Sequence, residues 1–160
     1  AANSPICKSI ISHAERGGYI VGICNGFQIL TETGLLPGAL LRNSGLKYIC
    51  KTVDLNVETA NSIFTKKYNL SNVIILPIAH HDGNYNADVS DIEKMRDQDL
   101  IAFSYCDNPN GSIENIAGIL SSNRRVLGMM PHPERASEKA HGNLDGVGFF
   151  KGLVEAVSTT

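Results

Sequence analysis

The sequence predicts an α/β layered domain. Three patterns carry that expectation: an apolar run over residues 19–23 of the kind found in a strand buried on both faces, a strict apolar/polar alternation at Val53, Leu55 and Val57, and flanking stretches with apolar residues at helical spacing. The chain opens on Ser4-Pro5, which reads as an N-cap followed by proline at the first helical position. Ile6, Ile10, Ile11 and Ala14 then recur as one face of an amphipathic helix until Gly17-Gly18 stops it. Tyr19-Ile20-Val21-Gly22-Ile23 leads into Cys24 and a second helical stretch ending at Gly34, which makes a strand, a tight turn and a helix. Residues 53–58 read as a half-buried strand, and residues 73–79 as another that is apolar throughout. Residues 88–96 suit a short helix. Residues 100–105, 116–120 and 125–130 read as three more strands, separated by Asn-Pro-Asn-Gly and Ser-Ser-Asn turns, and the middle strands are open to antiparallel pairing. Val147, Phe150, Val154 and Val157 form the apolar stripe of a C-terminal helix.

At 160 residues and 42% hydrophobic, the chain is one domain's worth of sequence, with no repeat, linker or low-complexity segment. The 14 Lys+Arg and 16 Asp+Glu leave a net charge of −2 without clusters of one sign, so nucleic acid and anionic membranes are poor partners. No apolar run approaches the about 18 residues of a membrane span, and residues 1–5 do not resemble a signal peptide. The expectation is a soluble, cytoplasmic protein. Cys7, Cys24, Cys50 and Cys106 are too dispersed for a zinc or dithiol site, and all but Cys24 read as small buried hydrophobes.

Gly22-Ile23-Cys24-Asn25-Gly26 has the spacing of a strand-to-helix elbow that presents a nucleophile. Such a sharp turn brings the residues two before and two after the nucleophile together, which asks for glycine at 22 and 26. The helix N-terminus would lower the thiol pKa, and the Asn25 N–H would face an oxyanion formed beside the sulfur. The pentapeptide alone fits a buried cysteine beside a glycine-rich turn equally well. His132-Pro133-Glu134 follows the last strand, where Pro133 stiffens the turn so that both side chains can converge on the thiol. By itself it also fits a solvated loop. Together with Cys24 it completes a nucleophile, base and orienting acid. His80-His81-Asp82 invites a metal reading, but neighbouring histidines in an extended segment point opposite ways, so a strand-end loop bordering the site is preferred and no metal is expected. His13 and His141 read as surface histidines.

The run Gly22-Ile23-Cys24-Asn25-Gly26-Phe27-Gln28-Ile29-Leu30, then Gly34-Leu35-Leu36-Pro37-Gly38 and Met130-Pro131-His132-Pro133-Glu134-Arg135, resembles the class I glutamine amidotransferases. Within them, Arg42-Asn43, Ile78-Ala79-His80 with Gly83-Asn84-Tyr85, and Asn108-Pro109-Asn110-Gly111-Ser112 are most similar to the glutaminase subunits of bacterial phosphoribosylformylglycinamidine synthases. The resemblance covers essentially the whole chain. It implies a flavodoxin-like three-layer α/β domain that hydrolyses glutamine with Cys24 as nucleophile, His132 as base and Glu134 as orienting acid, with the Asn25 backbone at the oxyanion and Gln28 on the substrate. It further implies a synthetase partner, with a small accessory subunit, that receives ammonia to make formylglycinamidine ribonucleotide in purine biosynthesis. ATP and Mg would belong to that partner, and no cofactor to this chain.

Two departures qualify the resemblance. His81-Asp82 stands where the family more often has Gly-Glu, and the family's first strands and glycine-rich oxyanion loop have no counterpart in a sequence that opens on a helix. The expectation is a single amidotransferase domain over residues 1–160, incomplete at its N-terminus. A peptidase or γ-glutamyl hydrolase would use the same three residues, and a noncatalytic binding or regulatory module is the other alternative.

Overall fold

The computed structural model describes residues 4–70 and 72–158. Helix α1 spans Pro5–Glu15, with the Ser4 hydroxyl accepting from the Cys7 N–H at its N-terminus. Strand β1 (Ile20–Ile23) and helix α2 (Asn25–Glu32) follow, joined at Cys24. Then come β2 (Ala39–Leu41), β3 (Ile49–Val57), β4 (Val73–His80), β5 (Asn84–Asn86) and helix α3 (Val89–Asp97). Strands β6 (Ile101–Tyr105), β7 (Ile116–Leu120) and β8 (Val126–Met129) precede helix α4 (Val147–Ser158).

Among the described residues six strands form one sheet in the order β1-β8-β7-β6-β3-β4, while β2 and β5 pair separately. Only β1 and β8 are parallel; every other neighbouring pair in this sheet is antiparallel. Directions therefore alternate from β8 onward, and the carboxyl ends of β1, β8, β6 and β4 all emerge at one sheet edge. That edge carries the candidate site. Helix α2 covers one face, with Phe27 and Leu36 over Gly128 and the Phe27 ring stacked on Tyr85 at 5.5 Å. Phe103 faces the opposite layer, where Tyr68, Phe64 and Phe149 pack ring against ring and α4 closes over them. This is the expected mixed α/β architecture, antiparallel middle strands included.

Several sequence expectations are corrected. Among the described residues β1 pairs with β8, and Gly22 is buried while Ile20, Val21 and Ile23 are half-buried. Strand β4 alternates instead of being buried throughout: Ile74, Leu76 and Ile78 face the core while Val73 and Ile75 are exposed. In α1 the fully buried residue is Cys7, and Ile6 lies outside at 65% exposure. In α4 the buried residues are Phe149 and Gly152, not the Val147-Phe150-Val154-Val157 stripe, whose Val154 and Val157 are exposed. The apolar content of α4 runs around more than one face, and close approach to the Ile63 carbonyl selects the side bearing Gly152. Cys50 and Cys106 are exposed, leaving only Cys7 as a buried hydrophobe. Among the described residues no helix is long and apolar enough to cross a membrane.

Candidate active site

Cys24 occupies the step from β1 into α2. Its N–H donates to the Met129 carbonyl at 2.8 Å, so the β1–β8 ladder grips it, and its carbonyl accepts from Phe27 and Gln28 to start the helix. The cost of this sharp reversal shows in its backbone: φ is 54° and ψ is −109°, a conformation a non-glycine residue holds only where its surroundings impose it. A Cβ at Gly22 would lie 2.6 Å from the Gly26 backbone, whereas one at Gly26 would meet nothing within 4 Å. Among the described residues, then, the glycine requirement expected at both positions falls on Gly22.

The thiol is directed at the Ala79 carbonyl, 3.8 Å away, at the end of β4. Its pKa is raised, against the expected lowering. Desolvation by burial dominates, the Asn25 N–H and the Arg135 charge act in the opposite direction, and the Glu134 charge adds to the rise. The lowering that the elbow predicts is thus present through the Asn25 N–H, but burial outweighs it.

His132 and Glu134 lie just past β8. The buried His132 is anchored through its N–H to the Pro77 carbonyl at 2.8 Å, and Pro133 opens a short 3-10 turn that brings Glu134 Oε1 to 2.6 Å from His132 Nδ1. An ionised carboxylate can only accept, so Nδ1 carries the proton, and in the neutral tautomer Nε2 presents a lone pair. Nε2 is buried and has no hydrogen-bond partner among the described residues. Arg135 Nε stands 3.7 Å from the same Glu134 oxygen. Because β1 and β8 are parallel neighbours, Cys24 and this turn leave the sheet at the same edge. Gln28 lies one turn into α2, and its amide donates to Glu32 at 3.0 Å.

His80 is the residue that sequence reading left outside the site proper. It ends β4 beside the Ala79 carbonyl and is 4% exposed. The loop after it is pinned by the two other motifs read in the sequence: Asn110 Nδ2 and the Ser112 hydroxyl donate to the Gly83 carbonyl at 2.8 and 3.2 Å, and Asn43 Oδ1 accepts from the Gly83 N–H. His81 and Asp82 point outward as a weak surface cluster with Arg42. No group of three or more His, Cys, Asp or Glu side chains that could hold a metal ion occurs among the described residues. His13 and His141 are exposed.

Comparison with known proteins places the chain in one family. Residues 1–146 fit the model of the CobB/CobQ-like glutamine amidotransferase domain. Phosphoribosylformylglycinamidine synthase subunit PurQ of Ruegeria sp. (strain TM1040) is 68% identical over 96% of this chain and 69% of its own length; the same subunit of Ruegeria pomeroyi is 64% identical over 99% of this chain and 71% of its own. In the structure of PurLQS from Thermotoga maritima, one chain matches with a TM-score of 0.88 and 43% identity, covering 98% of this chain and 70% of that one. A glutamine amidotransferase from Thermotoga maritima, 15% identical with a TM-score of 0.57 over 95% of this chain and 52% of its own, shares the fold. The extent of the family match and the identity to these relatives show that the chain belongs to the CobB/CobQ-like glutamine amidotransferase family.

Proposed function

We propose that this chain is the glutaminase component of a phosphoribosylformylglycinamidine synthase, releasing ammonia from glutamine for a synthetase subunit in purine biosynthesis. One observation carries the chemistry: Glu134 holds His132 with Nδ1 protonated, leaving a buried Nε2 lone pair at the sheet edge where the strained elbow presents Cys24. The raised thiol pKa keeps Cys24 protonated at rest, so attack needs a base, and His132 Nε2 takes the proton. The sulfur adds to the carboxamide carbon of glutamine, and the Asn25 N–H stabilises the resulting oxyanion. The imidazolium, steadied by Glu134, then protonates the departing nitrogen. Ammonia leaves, a glutamyl thioester remains, and water activated by His132 releases glutamate and restores the thiol.

The named relatives are subunits of a synthase, and the Thermotoga assembly is PurLQS. The corresponding partners here are a synthetase subunit, which binds ATP and Mg and replaces the amide oxygen of formylglycinamide ribonucleotide with ammonia nitrogen, and a small accessory subunit. The test uses the full-length protein with that synthetase. Cys24→Ala abolishes glutamine-dependent synthesis of the amidine but leaves synthesis from added ammonium salt intact. Glutamine-dependent product formation by Cys24→Ala would overturn the proposal.

A further inference from the structure

Among the described residues two buried side-chain polar atoms lack a hydrogen-bond partner: His132 Nε2 and His80 Nε2. The proposed reaction uses the first and leaves the second unexplained. The tautomer of His80 follows from Asn43, whose Nδ2 donates to the Lys47 and His80 carbonyls at 2.8 and 3.0 Å. That fixes the amide's orientation, so Oδ1 is the acceptor for the Gly83 N–H and stands 3.0 Å from His80 Nδ1. Nδ1 therefore carries the proton, and Nε2 offers a lone pair. Burial, reinforced by the nearby His132, pushes the His80 pKa down to about 4, so the ring stays neutral at working pH. A buried acceptor without a donor is costly, and a bound ligand can supply the donor.

Resting on the glutaminase reading, we infer that His80 Nε2 accepts a hydrogen bond from the carboxamide N–H of glutamine and so selects an amide over an ester or a carboxylate. The Cys24 thiol is the competing donor, but it is directed at the Ala79 carbonyl and must give its proton to His132. Glutamine brings two N–H bonds at the carbon that Cys24 attacks. Glutamate brings only lone pairs there, which oppose Nε2, and a neutral His80 offers its carboxylate no compensating charge. The pairing thus favours binding of substrate and departure of product. A site built around one hydrogen bond rejects analogues that cannot make it far more strongly than an apolar pocket rejects a change of shape.

The experiment compares kcat/KM for glutamine with that for glutamate γ-methyl ester, which has the same acyl carbon and no N–H, in the full-length protein with its synthetase. His80→Asn retains a donor for Asn43 and removes Nε2; His80→Gln returns an amide oxygen near that place. The amide-to-ester ratio is expected to fall about tenfold or more in His80→Asn and to recover in part in His80→Gln. An equal loss toward both substrates marks a merely structural role and overturns the inference, as does an unchanged ratio with a shifted pH profile of Cys24 alkylation. A second measurement leaves His80 intact: in Cys24→Ala, the Nε2 nitrogen resonance of His80 should move on adding glutamine and stay in place on adding glutamate. Equal movement with both ligands overturns the inference. A wild-type complex that turns over neither substrate would instead refute the glutaminase reading.

Discussion

Gly22 and Gly26 flank Cys24 symmetrically in the sequence, yet their substitution by alanine should have opposite effects. A Cβ on Gly22 would stand 2.5 Å from Leu30 Cδ1 and 2.6 Å from both the carbonyl carbon and oxygen of Gly26. Carbon atoms are comfortable at about 3.5–4.0 Å, so the start of α2 must move about 1 Å from β1. Leu30 can rotate away, but the Gly26 backbone cannot move without carrying Cys24 with it. Overpacking of this kind costs about 1–3 kcal/mol, a fall in Tm of about 3–9 °C for a domain of this size. A nucleophile displaced by about 1 Å loses about a hundredfold in turnover. Gly26→Ala meets no neighbour and replaces a helical glycine with a better helix former, for a gain of up to about 1 kcal/mol. The assay pairs thermal melting with glutamate release in the presence of the synthetase. Gly26→Ala as damaging as Gly22→Ala, or a Gly22→Ala protein that melts and turns over like the wild type, would refute the close-approach argument.

Two further outcomes follow from the charges around the site. The Arg135 charge lowers the Cys24 pKa and the Glu134 charge raises it, so Arg135→Gln should move the inflection of Cys24 alkylation upward in pH and Glu134→Gln downward, although the latter also weakens glutaminase activity. Mass spectrometry of the peptide bearing Cys24 reads both shifts, and a downward move in Arg135→Gln contradicts the electrostatic account. The second outcome is acid sensitivity: the folded pKa of His80, about 4, lies below the ordinary 6.5, so as pH falls the unfolded chain binds this proton first. Stability due to neutral His80 is complete above pH 6.5 and is lost progressively toward pH 4, by up to about 3 kcal/mol. Urea denaturation across that window should show a flatter pH dependence in His80→Asn, and identical slopes would count against the burial of a neutral imidazole.

The elements most legible in the sequence are those where local chemistry and global fold agree. Ser4-Pro5 caps α1, Val53, Leu55 and Val57 face the core, and Cys24 sits at the elbow, because each pattern is satisfied within a few residues of itself. The His132–Glu134 bond was likewise readable, since Pro133 confines two residues to one short turn. What escaped the sequence depends on partners far along the chain. The inward face of α4, for example, is chosen by Ile63. The direction of the Cys24 pKa shift is set by the surrounding burial, which outweighs the local helix terminus. His80 carried a usable signal in Ile78-Ala79-His80, but its meaning depends on Asn43, 37 residues away.

Sheet topology explains why residues so dispersed meet. Parallel neighbours end at the same edge, so β1 and β8 bring Cys24 and His132 together although they are far apart in sequence. Antiparallel pairing from β8 through β7 to β6, and on through β3 to β4, returns β6 and β4 to that edge as well. The loop after β6 supplies Asn110 and Ser112, which hold Gly83 in the loop after β4, and that loop fixes His80. One edge therefore gathers the elbow, the His-Pro-Glu turn and the Asn43-held histidine. Each is braced by backbone hydrogen bonds from a neighbouring strand or loop and not by a single flexible segment. A rearrangement of β6 and its turn should therefore reach the site through Gly83 and His80 while leaving the Cys24 and His132 anchors, which rest on Met129 and Pro77, in place.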